Sequence, residues 1–342
     1  MIRRLIVWRS TLVITLAAAT WASPALANDS AAALATGGLV FVRNDDIEMR
    51  SEDLYISTAE IRVRYRFYNR SERDVSLLVA FPLPEITVDE EDAEVSVPTD
   101  DPVNFVGFKT TVNGRPVAAD VEQRVFAAGV DRTEHLRALG IPLAPHLEAT
   151  RVALDRLPKA RWDELIKLGL ATIFEYDAGK GMERHLSPRW TLRTTFHWQQ
   201  TFPAGAETVI DHRYRPSVGG AAQTALGMPG LSKEEWFAEY QRKYCIDRDF
   251  LAAVERLRRN TRSDTGLPYS EKWIDYILTT GANWSGPIKE FRLVVDKGAA
   301  GSLVSFCGEG VRKIGPTQFE MRKTDFVPRQ DLSVLILEKM GQ

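Results

Sequence analysis

Cysteine and histidine are scarce in this chain: two and five among 342 residues. No Gly-x-Ser-x-Gly elbow, His-Glu-x-x-His pair, phosphate loop or dinucleotide glycine fingerprint occurs, so the sequence names no nucleophile, zinc helix or nucleotide. Gly179-Lys180-Gly181 lacks the spacing of a phosphate cradle. No cofactor is expected. Excess charge of one sign is also missing. The chain carries 44 Lys+Arg against 46 Asp+Glu without a long basic cluster, which argues against nucleic acid as a partner.

What is present begins at the N-terminus. Arg3, Arg4 and Arg9 precede an apolar run, Thr11 to Ala19, and a small-residue stretch, Ala25-Leu26-Ala27. These are the three parts of a secretory signal, and the run is too short to span a bilayer. Arg3-Arg4 is not followed by the rest of a twin-arginine signal, so the general secretory route is expected. Residues 1–27 are therefore predicted to be removed, leaving a periplasmic or secreted chain that begins at Asn28. No lipidation cysteine follows, and no later segment is apolar enough for a membrane span.

Cys245 and Cys307 are the two cysteines, and in an oxidising compartment such a pair is predicted to form one disulfide. The alternative is a catalytic thiol in "FCGEG", which no histidine motif accompanies. The histidines are His135, His146, His185, His197 and His212. His197 and His212 fall on what read as two arms of one hairpin, where hydrogen-bonding histidines are expected rather than a zinc pair, because zinc takes three or four ligands.

Alternation sets the fold class. In "EIRVRYRFYNRSERDVSLLVAFPLPE", Ile61, Val63, Tyr65 and Phe67 share one face and Arg62, Arg64 and Arg66 the other. A polar turn, Asn69 to Asp74, leads to a second strand, and the pair reads as a hairpin ended by Pro82 and Pro84. Asn113-Gly114 marks a two-residue hairpin. From about residue 121 to 188 the period turns helical, and alternation returns with Trp190, Leu192, Phe196 and Trp198 on one face. Residues 219–230 are the expected linker. Beyond it Ser232 and Glu235 suggest a capping box for a helix burying Trp236, Phe237, Tyr240 and Tyr244; Asp247 suggests the cap of a second helix. The prediction is a mainly β, α+β protein. A β-sandwich over 28–218 holds a helical insertion, and a disulfide-stapled α+β region covers 231–342.

"IRVRYRFYNRSERDVSLLVAFPLPE", "FVGFKTTVNGRPVAADVEQRVFAA" and the closing "FPAGAETVIDHRYRP" resemble the VIT sandwich domain of vault and inter-alpha-trypsin inhibitor proteins. Such domains commonly precede a von Willebrand A domain with an Asp-x-Ser-x-Ser metal motif, which this chain does not contain. The resemblance implies an interaction-type sandwich without that metal-dependent adhesion. End to end, with "TTGANWSGPI" and "LVSFCGEGVRKI", the chain is similar to an exported proteobacterial family of unknown function, which implies a cell-envelope setting.

Candidate site residues follow from these patterns. Asn283 and Trp284, flanked by Gly281, Gly286 and Pro287, can present an indole on a turn or plug the end of a sheet. The Arg62, Arg64 and Arg66 row can face water or a partner. Asp89, Glu90, Asp92 and Asp101, in an acidic segment without EF-hand spacing, are a calcium candidate whose bland counterpart is a solvated loop. Asp247, Asp249 and Glu309 lie close in sequence to the two cysteines and would suit acid–base hydrolysis if they converged. The leading expectation is a non-catalytic exported protein binding an envelope protein or glycan partner; the competing one is an envelope hydrolase acting on glycan or peptide.

Overall fold

A computed structural model describes residues 28–35, 38–88, 96–177, 179, 181–261 and 266–341. The expected leader, residues 1–27, lies outside the described residues, as do 89–95. The protein is mainly β with a few helices, as the alternation predicts. The chain opens with β1 (Ser30–Ala35), β2 (Gly38–Val42), β3 (Ile47–Ile56), β4 (Ile61–Asn69), β5 (Val75–Pro82) and the short β6 (Ile86–Thr87). β7 (Lys109–Val112), β8 (Arg115–Val117), β9 (Asp120–Ala127) and β10 (Val130–Asp131) follow. Helices α1 (Thr133–Ala138), α2 (Glu148–Asp155) and α3 (Lys159–Lys167) lead to a hairpin of β11 (Ala171–Asp177) and β12 (Met182–Pro188). Next come β13 (Thr191–Phe202), β14 (Glu207–Tyr214), β15 (Gly219–Ala221), α4 (Glu235–Tyr244) and α5 (Arg248–Asn260). The last strands are β16 (Tyr269–Tyr276), β17 (Ile288–Asp296), β18 (Leu303–Phe306), β19 (Arg312–Lys313), β20 (Gln318–Phe326) and β21 (Leu332–Lys339).

The predicted alternation of β4 is what the structure shows: Ile61, Val63, Tyr65 and Phe67 are buried while Arg62, Arg64 and Arg66 are exposed. The pairing is not the hairpin expected from the turn. β4 lies between β3 and β14 in an eight-stranded sheet, and β5 lies between β13 and β1 in a seven-stranded one. The polar turn is thus an arch from one layer of the sandwich to the other. Two strands that each carry one fully apolar face can bury both faces by facing each other across a core, and this core lies between the sheets. β13 and β14 repeat the arch, so His197 and His212 sit on different sheets and do not meet. At Asn113-Gly114 the expected tight turn does form, β7 pairing with β8 and both turn residues having positive φ, 49° and 76°.

The helical insertion is shorter than its expected 121–188 span. Val121 to Ala127 belong to β9, which pairs with β13. Ala128 and Gly129, both at positive φ, turn the chain out of that strand before α1. α3 stops at Lys167 because Gly169 takes φ 72°, the left-handed conformation that ends helices. In α4 the Ser232 capping box does not form: Ser232 lies in a 3-10 turn, and Glu234 occupies the cap without a side-chain bond. Phe237 and Tyr244 are buried and Tyr240 packs against the same cluster, whereas Trp236 falls off that stripe and is 48% exposed. Asp247 does cap α5, accepting from the Phe250 N–H at 2.7 Å.

Residues 219–230, expected as a linker, begin with β15, which pairs with β16. A Cβ at Gly220 would sit 2.5 Å from the Glu271 carbonyl oxygen, so that pairing needs glycine. The chain after it is not a separate body, because β17 pairs in parallel with β3 and extends the sandwich's own sheet. β16 and β21 form a four-stranded sheet with β15 and β18 whose two faces go to different cores. Val334 and Ile336 face the sandwich, while Leu335 and Leu337 face α4 and α5. This two-sided burial explains why "DLSVLIL" is apolar without alternation.

Candidate functional site

The eight-stranded sheet turns its outer face to solvent, and two rows of side chains cross its strands there. In the first, β-register places Lys109, Arg213, Arg62, Tyr55 and Val294 side by side on β7, β14, β4, β3 and β17. The second row, two residues along, is Thr111, Asp211, Arg64, Asp53 and Arg292. Together they line an open groove of about 640 Å³, joined by Gln318 from β20. The rows exist because period-2 alternation sends every second residue of β4 and β14 outwards, and register sets these residues opposite one another.

Five of those residues are cationic (Arg62, Arg64, Lys109, Arg213 and Arg292) and two, Asp53 and Asp211, are anionic. Arg64 is 3.7 Å from Asp211, and Arg292 reaches Asp53 at 3.0 Å and Glu320 at 2.8 Å. Hydrogen bonds from Arg322 and Arg292 hold the Glu320 carboxyl down to about 2, so it stays ionised across the physiological range. Arg62 lies 3.1 Å from Glu60 and over the Tyr55 ring, and the same Glu60 takes Arg213 at 2.6 Å. Arg66, farther along β4, makes a two-pronged pair with Glu207 at 2.9 Å. Lys109 is exposed and forms no ion pair with another described residue. The groove is open and rimmed by charged heads, unlike the enclosed pocket that buries a small molecule.

The other predicted site residues are placed elsewhere. Trp284 is fully buried, not presented on its turn: its Nε1–H donates to the Asp29 carbonyl at 2.6 Å and its ring packs on Phe67 and Phe202. Asn283 beside it donates to Ser30 Oγ at 2.9 Å, holding β1 rather than a ligand. Asp247, Asp249 and Glu309 are all exposed and do not build a cleft. Asp247 is committed to the α5 cap, and Glu309 pairs with Lys323 at 2.7 Å. Asp101 accepts from the Val103 and Asn104 N–H groups, a turn-building role, whereas Asp89, Glu90 and Asp92 lie outside the described residues. Among the described residues no three His, Cys, Asp or Glu side chains gather as a metal cluster. Cys245 and Cys307 form the disulfide, tying the end of α4 to the end of β18.

Sequence reasoning missed a polar cluster inside the sandwich. Asn28, Asp29, Glu52 and His212 are each at most 2% exposed, among Tyr65, Tyr276 and the Trp284 ring. His212 Nε2 is 2.9 Å from Asp29 Oδ1, with Phe81, Phe108 and Trp198 around the imidazole. Asn28 donates to Glu52 Oε2 at 2.9 Å and accepts from the Tyr65 hydroxyl, itself 3.0 Å from that of Tyr276. Burial pushes the Glu52 carboxyl up to about 8, against the Asn28 hydrogen bond and helped by the neighbouring Asp29 charge; burial likewise raises Asp29, with His212 opposing. Glu52 points inward because of a β-bulge. Met49 pairs with Phe67 and Ser51 with Arg66, so Arg50 is an extra residue and the phase of β3 inverts after it. Nothing in "IEMRSEDLYI" announces that inversion. The histidine between two apolar alternating positions, Ile210 and Tyr214, was the one legible sign.

No curated protein matches the chain in sequence. Among solved structures it is similar to a provisionally named nutrient-binding protein from Legionella pneumophila, at 16% identity over 91% of this chain and 70% of that one, with a TM-score of 0.44. At that identity and score the likeness carries no functional argument. The model of a domain of unknown function, DUF4424, matches residues 27–335, nearly all of the described sandwich and its helical layer. The chain belongs to the DUF4424 family.

Proposed function

We propose that the protein is a non-catalytic binding module of the cell envelope that takes an acidic partner, protein or glycan, on the outer face of its eight-stranded sheet. The observation that carries this reading is the pair of cross-strand rows in the open groove, where five cations stand in register: Glu60, Asp211, Asp53 and Glu320 pair with the four arginines, and Lys109 has no described counter-ion. Cations held in register along strands match carboxylates spaced along an extended chain, and such contacts set specificity and encounter rate. The VIT-like pattern favours an interaction role in the same sense. Export to the periplasm or beyond is part of the proposal, supported by the leader-like residues 1–27 and by the Cys245–Cys307 disulfide. The hydrolase alternative has no support from Asp247, Asp249 or Glu309, which are exposed and tied to structural partners or solvent.

Calorimetry with a polyuronate, a poly-glutamate peptide and neutral dextran tests the reading. At least one anionic polymer should bind, dextran should not, and affinity should fall with salt. Reversing two floor charges with Arg64→Glu and Arg213→Glu should weaken binding by about tenfold or more, each tenfold being about 1.4 kcal/mol. Equal binding by this variant, or no binding of either anionic polymer, would sink the proposal.

A further inference from the structure

Asn28 and Asp29 are wholly enclosed, although they follow directly on Ala25-Leu26-Ala27. Asn28 is held by Glu52, Tyr65 and the Leu278 carbonyl through its side chain, and its own carbonyl accepts from the Thr280 hydroxyl at 2.6 Å. Gly281 lets the loop close over it, since a Cβ there would stand 2.7 Å from Asn28 Nδ2. Within this enclosure Glu52 Oε1 and Asp29 Oδ2 are buried without a hydrogen-bond partner. Among the described residues, these two buried carboxyl groups have one imidazole beside them, that of His212. Buried carboxyl groups keep their protons unless a cation stands beside them, so a cation in this enclosure would let them ionise.

We propose that scission of the Ala27–Asn28 peptide bond makes Asn28 the mature N-terminus, and that its new α-ammonium is the buried counter-charge of Glu52 and Asp29. Water, with a leader endopeptidase as catalyst, adds across the bond. Its oxygen goes to the Ala27 carbonyl carbon, which leaves as a carboxylate, and its two protons bring the Asn28 nitrogen to –NH₃⁺. Covalent geometry holds that nitrogen within about 5 Å of the Asn28 amide that already donates to Glu52. The ammonium then offers three donors and a full charge where the uncleaved chain offers one neutral N–H. Processing and folding are coupled: the sandwich core is completed by a group that exists only after cleavage. The idea shares export with the proposed function but does not involve the groove, and its readouts are independent of partner binding.

Intact mass of the exported chain should equal residues 28–342. In that folded chain an amine-reactive reagent should label the α-amine at least about 100-fold more slowly than a short peptide of the same start, as expected for a buried group that reacts only through local opening. A chain begun at Asn28 can then be compared with one carrying a single extra glycine before it. The extension should lower Tm by about 5 °C or more. Glu52→Gln should lower Tm in the Asn28 chain and change it little in the extended one, because the pair is already broken there. A mature start elsewhere, labelling at the peptide rate, or additive effects of the extension and Glu52→Gln would overturn the proposal. If the extended chain does not fold, mass and labelling of the exported chain decide alone.

Discussion

Trp284 shows how one side chain can be read two ways from its neighbours. Glycines and a proline around it permit an outward indole on a turn, and the same turn can also fold an indole inward. The structure takes the second course because the Asp29 carbonyl needs a donor and Phe67 and Phe202 leave a ring-sized space. Trp284→Ala should therefore cost about 3–5 kcal/mol in urea unfolding, as for a large aromatic removed from a core. Trp284→Phe keeps most of the ring but strands the carbonyl, and should cost about 1–3 kcal/mol. A change below about 1 kcal/mol in Trp284→Ala would show the indole to be no part of the core. Glu52 could not be read at all. Its inward turn depends on the extra residue at Arg50, which leaves no mark on side-chain chemistry and is decided by pairing with β4.

At the scale of elements, the alternation of β4, the Asn113-Gly114 turn and the Asp247 cap were legible because each depends on a few adjacent residues. Partner choice was not. A polar turn between two amphipathic strands serves a hairpin or an arch equally well, and the arch wins here because it lets both apolar faces meet. The Ser232 box failed for a related reason: the buried stripe of α4 starts the helix at Glu235 and leaves Ser232 in the preceding turn. The disulfide joins two elements 62 residues apart, α4 and β18. Replacing both cysteines with serine should lower unfolding free energy by about 4 kcal/mol in the chain-entropy model. Hydrogen exchange should quicken most in α4, whose apolar face belongs to the smaller core. Unchanged denaturation midpoints with and without reductant would contradict this.

At the scale of the whole molecule, the strand order decides what can stand alone. β17 and β20 come after residues 219–230 yet complete the sheet that β3 and β4 begin, so neither side of that stretch carries a full sandwich. Expressed separately, residues 28–218 and 231–342 should each lack dispersed NMR spectra and cooperative unfolding, and mixing or co-expression should restore both. A cooperative transition in 28–218 alone would show the parallel β3–β17 pairing to be dispensable. The groove is a property of the same scale, since its lining comes from strands on both sides of that stretch.

Composition and period were enough for the mainly β class, the inward and outward faces of individual strands, the disulfide pair and the outward arginine row, because these depend on local pattern and on there being only two cysteines to pair. The neighbours of most strands, the joining of both halves into one sheet, the choice between the two readings of Trp284 and the buried Asn28–Glu52–Asp29–His212 cluster came only with tertiary structure. They depend on contacts between residues far apart in the chain, where one bulge or one arch inverts what a side chain faces while leaving the local pattern of residues unchanged.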